Sequence, residues 1–343
     1  MKSLKDYSLN LPEKDYHLYP AWSYSLIARY AREGFDALST LHKQKEPTAA
    51  MEFGSLFDSI LTRGKKTLDY YSISNFIPTD AVKQVLDTLL VSTSVPFDEI
   101  PQNVIENATV ACSFYPRWGY DAKYGKIAEA RAYYDARREG KKVVSEEDWN
   151  DAMEMARIVH LDEYLSGLFG TKNTKDVEYI YQAQYLTKIW TPKGRLVEVK
   201  AMPDLLVVNH KDKTVRPVDL KTSSMPAYDF AEQFIKMRYD IQAYVYTDVV
   251  RAIMNEDPDY TEYTILPYLF TDISRVDKVP VTYEYDPNSE SQVNGLSFGQ
   301  YQYKHWKDVL DEIIDYEEAE AKVPNYITTE GPNDLLDILN SKR

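Results

Sequence analysis

The sequence predicts an α/β protein, with a run of helices followed by a mixed β/α region that has a sheet at its centre. Two observations predict this order. Apolar residues recur at helical spacing through the first half of the chain, and beyond about residue 175 they alternate with polar residues, as in strands with one buried face. The 343 residues, of which 44% are hydrophobic, are enough for one enlarged domain or two coupled ones.

Capping residues, together with periodicity, define the helices of the first half. Gly34 is expected to bend or end the first helix. Thr48 and Gly64 are expected to begin and end the second, and Ser145 opens the last helix with an acid three residues later. The predicted helices cover residues 22–41, 48–64, 79–90, 126–140 and 145–170.

The second half contains the strand patterns. Residues 177–190 alternate, which predicts a single strand whose buried face carries Val177, Tyr179, Tyr181, Ala183 and Tyr185. Residues 195–209 predict two strands with a break between them, and the loop HKDK then leads into a strand over 214–222. Further strands are predicted within 261–273 and 277–286, and helices over 239–257 and 298–323. We therefore divide the chain into a mainly helical region, 1–170, and a sheet-containing region, 171–343.

The net charge of −14 argues against a general nucleic-acid binder, because an acidic surface repels a polyanion. The charge is nevertheless uneven. Residues 186–221 contain eight Lys or Arg against four acids, whereas residues 307–343 contain ten acids against four bases. Charge runs are most often solvated faces, so this distribution alone assigns no function.

Composition and motifs exclude several classes of protein. Cys112 is the only cysteine, so an internal disulfide and a cluster held by several thiolates are excluded. The N-terminal residues lack the apolar core of a secretory signal, and no window is apolar enough for a membrane helix, so we expect a protein of a reducing cytosol. There is no P-loop, dinucleotide fingerprint or G-x-S-x-G motif, and the five histidines form no metal-spaced pair.

Residues 201–224, AMPDLLVVNHKDKTVRPVDLKTSS, place two acids and a lysine at the edges of apolar runs. Asp219 and Lys221 are two residues apart in a predicted strand, so they project to the same side, with Leu220 towards the core. If the strands of Asp204 and Asp219 pair through the HKDK hairpin, their carboxylates converge into an oxygen site suited to Mg²⁺ or Mn²⁺. The lysine can then orient a water and offset negative charge on a phosphate. An isolated D-x-K triplet also occurs as a surface salt bridge, so this stretch alone leaves both interpretations open.

These residues resemble a known signature. The PD that ends at Asp204 and the DLK of residues 219–221 resemble the PD-(D/E)xK signature of the restriction-endonuclease-like nucleases. QAYVY, which runs from Gln242 to Tyr246, resembles the Q-x-x-x-Y motif of the RecB-type and phage recombination exonucleases, including the exonuclease VIII group. GSLFD occupies the place of their G-x-x-x-H motif, and VVSEEDWNDAMEMARIV resembles a helix that members carry before the first strand of the sheet. The similarity runs from about residue 22 to about residue 257.

The resemblance implies a fold and a set of roles. The fold would be a restriction-endonuclease-like core, in which a central mixed sheet is flanked by helices and the helical N-terminal half packs on it. Asp204 and Asp219 would bind one or two Mg²⁺ or Mn²⁺ ions with the backbone carbonyl of Leu220, and Lys221 would position and activate the attacking water. Gln242 and Tyr246 would hold the scissile strand or the lysine.

One departure from the family pattern concerns the metal. Asp58, four residues after Gly54, stands where the family usually has a metal-binding histidine. Asp58 would keep an oxygen ligand for a hard cation, or else Asp204 and Asp219 alone hold the metal. Some relatives carry an iron–sulfur cluster on four cysteines, and the single Cys112 excludes that subtype.

The implied activity is that of an exonuclease acting on double-stranded DNA ends in phage-type recombination or replication. A single-strand annealing or binding protein and a homo-oligomeric ring are partners that the family implies, in the cytoplasm of a bacterial host if the protein is phage-encoded. Two alternatives stay open, an endonuclease on the same fold and a catalytically degenerate module that binds DNA or protein.

Overall fold

The computed structural model describes residues 2–43 and 47–322. Its α-helices are α1 (Glu13–Leu18), α2 (Tyr24–Glu33), α3 (Ala49–Arg63), α4 (Asp80–Ser92), α5 (Gln102–Ala111), α6 (Tyr120–Ala128), α7 (Arg131–Arg138), α8 (Glu146–Leu161), α9 (Glu163–Leu168), α10 (Phe230–Met237), α11 (Tyr239–Asn255) and α12 (Trp306–Lys322). Its strands are β1 (Tyr71–Ser74), β2 (Lys142–Ser145), β3 (Val177–Tyr181), β4 (Tyr185–Trp190), β5 (Leu196–Ala201), β6 (Leu205–Asn209), β7 (Thr214–Ser223), β8 (Thr264–Ile265), β9 (Tyr268–Ser274), β10 (Pro280–Tyr285), β11 (Ser297–Phe298) and β12 (Tyr301–Gln302).

The chain folds into two compact units. One contains the residues up to Ala50 together with those from Val159 onward, and the other is Met51–Ile158. This division differs from the expected boundary at residue 170, because the first fifty residues belong with the sheet. They do so because α2 packs against α11, α12 and the rest of the sheet unit through buried Ile27 and Ala28.

A mixed sheet lies at the centre of the first unit. Within the described residues it has six strands in the order β10-β9-β7-β6-β3, with β8 beside the start of β7. The pairs β10–β9, β7–β6 and β6–β3 are antiparallel, whereas β7 is parallel to β9 and β8. Because the connection from β7 to β9 runs through α10 and α11, the parallel pair has the helical crossover that such a pair requires.

The predicted strand over 177–190 is two strands in different sheets. Gln182 has a φ of 49° in the left-handed region, which ends β3, and β4 instead pairs with β5 as a separate antiparallel hairpin. The prediction for β3 was wrong in its buried face as well. Ile180 is the fully buried residue of β3, and Tyr179 and Tyr181 are only half-buried. The alternation continued across the break in the sequence and therefore concealed it.

Several helix limits confirm the expected caps, and others do not. α3 ends before Gly64, whose φ of 56° suits glycine, and the amide of Asp148 donates to Ser145 Oγ at 3.0 Å where α8 begins. The helix predicted over 145–170 is interrupted at Asp162, whose carboxylate caps α9. The helix predicted over 126–140 is also divided, into α6 and α7.

The terminal helix is shorter than predicted. It begins at Trp306, and the residues from 298 to 302, expected to be helical, form part of the small hairpin β11–β12. Val323, the expected last residue, lies outside the described residues. Among the described helices, none combines the length and hydrophobicity needed to cross a bilayer.

The second unit has its own core. Buried side chains of α4, α5, α6 and α7 pack together, and β1 pairs in parallel with β2. Residues of α4 such as Leu86 and Leu89 are fully buried in this cluster. A contiguous cluster of buried apolar side chains is what a helical unit requires in order to pack on its own.

A buried lysine fixes the N-terminal segment to the hairpin β4–β5. Lys200 is 5% exposed, and its Nζ donates to the carbonyl oxygens of Tyr16, His17 and Tyr19 at 2.7, 3.0 and 2.8 Å. These carbonyls lie at the C-terminal end of α1, where helix carbonyls lack partners within the helix. Burial lowers the pKa of Lys200, because it removes water from the ammonium. The three carbonyl oxygens take the place of that water.

We predict that Lys200→Met lowers the free energy of unfolding by roughly 2 to 3 kcal/mol, because three charge-assisted hydrogen bonds of the buried ammonium are lost together. Denaturant unfolding followed by circular dichroism measures the change. The matched control is Lys188→Met, an exposed lysine on the neighbouring strand β4, which should change stability by less than about 0.5 kcal/mol. Equal stability of the two variants would contradict the anchoring role of Lys200.

Candidate active site

The hairpin β6–β7 brings the two signature acids to adjacent positions, as expected from the sequence. Leu205 pairs with Val218 and Asn209 with Thr214, so the next step of the same register places Asp204 opposite Asp219. Asp204 Oδ2 accepts a hydrogen bond from the amide of Leu220 at 2.8 Å. This bond joins the first acid to the middle residue of the D-x-K triplet.

Asp219, Lys221 and Gln242 form a closed triangle of contacts. Lys221 Nζ lies 2.6 Å from Asp219 Oδ2 and donates to Gln242 Oε1 at 3.1 Å, while Gln242 Nε2 donates to Asp219 Oδ1. Asp219 and Gln242 are 1% and 2% exposed. A surface salt bridge is thereby excluded for Asp219 and Lys221. The contact partners of Gln242 are the lysine and its acid, which is one of the two roles expected for this residue.

The start of α11 positions Gln242. Arg238, in the left-handed region with a φ of 57°, separates α10 from α11. Its guanidinium makes two hydrogen bonds of 2.9 Å to the carboxylate of Asp240, and both side chains are buried. Paired bonds of this geometry hold a guanidinium and a carboxylate in one orientation. The first turn of α11 is therefore fixed where Gln242 faces the sheet.

The ammonium of Lys221 also contacts an aromatic ring that sequence reasoning missed. Its Nζ lies 4.6 Å from the ring centroid of Tyr239, the first residue of α11. Burial acts to lower the pKa of Lys221, but Asp219 together with Tyr24, Tyr239 and Asp204 outweighs it and raises the pKa overall. The lysine is therefore a cation in this arrangement. Tyr239 gave no separate signal in the sequence, since tyrosine is abundant throughout the chain.

Tyr246 lies near the triangle within an aromatic group. Its ring contacts Tyr24 of α2 edge-on at 5.4 Å and Tyr268 of β9 at 6.4 Å. Burial raises the pKa of Tyr246 and of Tyr268 well above the usual value, so both phenols are neutral. Tyr24 and Tyr268 were not predicted, since neither belongs to a sequence motif.

Leu220 and Asp58 are the two remaining residues of the expected site. Leu220 is half-buried rather than a core residue, because the described part of the sheet leaves this side of β7 partly open. Asp58 lies on α3 in the second unit and is half-buried, while Phe57 and Leu61 beside it are buried as expected. A metal role for Asp58 stays a prediction.

The donor set suits a hard divalent cation. Asp204 and Asp219 supply carboxylate oxygens, and Leu220, the residue after Asp219, has a main-chain carbonyl. Among the described residues, no group of three or more His, Cys, Asp or Glu side chains is arranged to hold a metal. Mg²⁺ commonly binds through only one or two carboxylates and keeps several waters, so two acids are sufficient. The residues present therefore fit such an ion.

The basic excess of residues 186–221 is largely used in internal contacts. Arg195 bonds Asp311 and Asp315 of α12 at 2.9 and 2.6 Å, and Arg216 bonds Glu284 of β10 at 2.8 Å. The other engaged members are Lys193 with Asp315, Lys200 with three carbonyls, Lys213 with Glu262 and Lys221 with Asp219. The charge run is thus mainly structural.

Comparison with known proteins agrees with this geometry. The model of the PD-(D/E)XK nuclease superfamily matches residues 21–323. No curated protein matches the sequence. A crystal structure of a protein named SSO0001 matches at 12% identity over 77% of this chain and 86% of that chain, with a TM-score of 0.26 that supports no further argument.

The family model spans most of the described chain, and the mixed sheet flanked by helices is the architecture expected of a restriction-endonuclease-like core. The acids, the lysine and the glutamine of the sequence motifs meet at one buried place on that sheet. The chain therefore belongs to the PD-(D/E)XK nuclease superfamily, whose members are typically nucleases that use divalent metal ions.

Proposed function

We propose that this protein is a metal-dependent deoxyribonuclease that degrades duplex DNA from its ends. The observation that carries the proposal is the closed contact of Asp219, Lys221 and Gln242 beside Asp204. A buried acid and lysine held by a glutamine are costly to maintain for stability alone, because both charges are removed from water. The preference for ends, and a role in phage-type recombination or replication, rest on the likeness of residues 242–246 to the RecB-type and exonuclease VIII-like motif.

Asp204, Asp219 and the Leu220 carbonyl would hold Mg²⁺ or Mn²⁺, with Asp58 as a further oxygen ligand. A bound divalent cation would supply Lewis-acid stabilisation of the charge that develops on the scissile phosphate. Lys221 would orient the attacking water with its ammonium and stabilise negative charge in the transition state. Gln242 would keep Lys221 in place, and the rings of Tyr239 and Tyr246 would exclude bulk water.

Two other functions are compatible with the same fold. An endonuclease would use the same residues on a covalently closed circle. A degenerate module would bind DNA without cutting it, an alternative that the net charge of −14 favours and the complete triangle of contacts opposes. A single-strand annealing or binding protein and a homo-oligomer are further proposals, which rest on the family resemblance.

We predict that the protein releases nucleotides from end-labelled linear duplex in Mg²⁺, loses this activity in EDTA and leaves a covalently closed circle intact. Asp219→Asn should lower the rate by roughly 100- to 1,000-fold, because it removes a charged ligand with little change in volume. Gel assays of both substrates measure these rates. Cutting of the circle would establish the endonuclease, and DNA binding without cutting of either substrate would establish the degenerate module.

We predict that Lys221→Met lowers kcat by roughly 100-fold or more with little change in KM, since the lysine acts on the water and the transition state. Methionine keeps the packing against the Tyr239 ring while removing the charge. Lys211→Met, an exposed lysine in the β6–β7 loop, is the control and should keep the parent kcat. A weakened KM with unchanged kcat would instead make Lys221 a phosphate contact.

We predict that Asp58→Ala raises the Mg²⁺ concentration needed for half-maximal activity by roughly 10-fold, because a carboxylate ligand is lost. Asp58→His should keep activity and move the preference towards Mn²⁺, since imidazole suits softer cations. Glu52→Ala, an exposed acid on the same helix, is the matched control. An unaltered metal titration for Asp58→Ala would exclude Asp58 from the metal site.

A further inference from the structure

Asp272 is a second buried carboxylate beside the candidate catalytic lysine. It lies on β9 directly opposite Lys221 of β7, in the parallel register that also pairs Asp219 with Phe270. Residues paired in this way point to the same face, and neighbouring strands lie about 4.8 Å apart, within the reach of a lysine side chain. Asp272 is 0% exposed, so it belongs to the interior of the site and not to its rim.

The hydrogen bonds of Asp272 favour its neutral form. Ser223 Oγ lies 3.0 Å from Asp272 Oδ2 and 3.0 Å from the carbonyl oxygen of Met225. A serine hydroxyl has one proton, and a carbonyl can only accept. When Ser223 donates to the Met225 carbonyl, its contact with Asp272 is a hydrogen bond only if Asp272 is the donor. A proton on Asp272 Oδ2 therefore satisfies both contacts together.

The other oxygen points to the same conclusion. Asp272 Oδ1 is buried and has no hydrogen-bond partner among the described residues. An ionised carboxylate with an oxygen that receives no donor is costly in an interior. Burial raises the pKa of Asp272 to about 6, with Asp277 in the β9–β10 turn adding to the increase and Lys221 opposing it.

The surrounding charges show what would stabilise the ionised form. The ionisable groups that act on Asp272 are Lys221 on β7, Tyr239 on α11, Tyr283 on β10 and Asp277 in the turn. Burial raises the pKa of both tyrosines, so they are neutral, and Asp277 is an anion. Lys221 is the cation of this set, and it is paired with Asp219 at 2.6 Å.

We propose that Asp272 is a positioning residue that acts as an alternative counter-ion for Lys221, neutral while Asp219 holds the ammonium and ionised when a cation occupies Asp219. This inference rests on the proposed function. When a divalent cation takes the Asp219 oxygens, Lys221 loses its anion. Asp272 then releases its Oδ2 proton to solvent and pairs with the ammonium, which stays charged. One proton leaves for each cation bound, and the ammonium of Lys221 again has an anionic partner.

The experiment is calorimetric titration of the whole protein with MnCl₂ or CaCl₂ at pH 5.5, in two buffers of different ionisation enthalpy. The difference in heat gives the number of protons released per bound cation, without any measurement of DNA cleavage. We expect the parent to release between about half a proton and one proton more than Asp272→Asn, because the acid is mostly protonated at this pH. Asparagine resembles the neutral carboxyl in shape and charge.

Each outcome decides the matter. Equal proton release by the parent and Asp272→Asn, with cation binding intact, would overturn the counter-ion role and leave the proposed nuclease function standing. Absence of cation binding in both proteins would overturn the metal site of the proposed function, and the counter-ion role with it.

A measurement without metal tests the protonation of Asp272 directly. A carboxyl with a raised pKa in the folded state stabilises the fold below its unfolded pKa, and this contribution is lost as the pH rises through about 6. The Tm of Asp272→Asn should therefore increase relative to the parent between pH 4 and pH 7. A constant difference in Tm over this range would show that Asp272 does not titrate there and would overturn the proposal.

Discussion

The contact of Asp219 with Lys221 is the interaction on which the rest of the sheet unit depends. Both side chains lie on one face of a central strand, and the acid is almost fully removed from water. A buried ion pair of this kind is favourable only when the remaining donors and acceptors of both groups find partners. Gln242 supplies an acceptor to Lys221 and a donor to Asp219, and Tyr239 supplies a ring face to the ammonium. These contacts fix the position of α11.

The same requirement extends to the elements that surround the pair. Arg238 and Asp240 fix the start of α11, and the register of β6 with β7 fixes Asp204 beside the amide of Leu220. Aromatic rings of α2, α11 and β9 fill the space around the pair. Together these contacts orient the side chains of Asp219, Lys221 and Gln242.

Much of this site could be predicted from the sequence, because its residues lie at short, regular spacings. The i and i+2 positions of a strand and the hairpin between two strands gave Asp204, Asp219 and Lys221, and the resemblance to the Q-x-x-x-Y motif gave Gln242 and Tyr246. Asp272 and Tyr239 were missed for the opposite reason. Their proximity to Lys221 depends on the pairing of β7 with β9 and on a left-handed residue before α11, neither of which has a local signature.

The fold was predictable to the same extent. Glycine and serine caps gave the ends of α3 and the start of α8, since these depend on single residues. The break at Gln182 was concealed because polar and apolar residues alternate on both sides of it. The membership of the first fifty residues in the sheet unit could not be inferred, because it depends on contacts such as those of Lys200 with the end of α1.

That attachment has a consequence for the order in which the chain folds during synthesis. The N-terminal segment buries its side chains against β5, α11 and α12, which lie far along the chain. It therefore leaves the ribosome before those elements have been synthesised. The unit of residues 51–158 has a buried core of its own and can fold as soon as it emerges. The N-terminal segment is thus translated before that unit and reaches its native position after it.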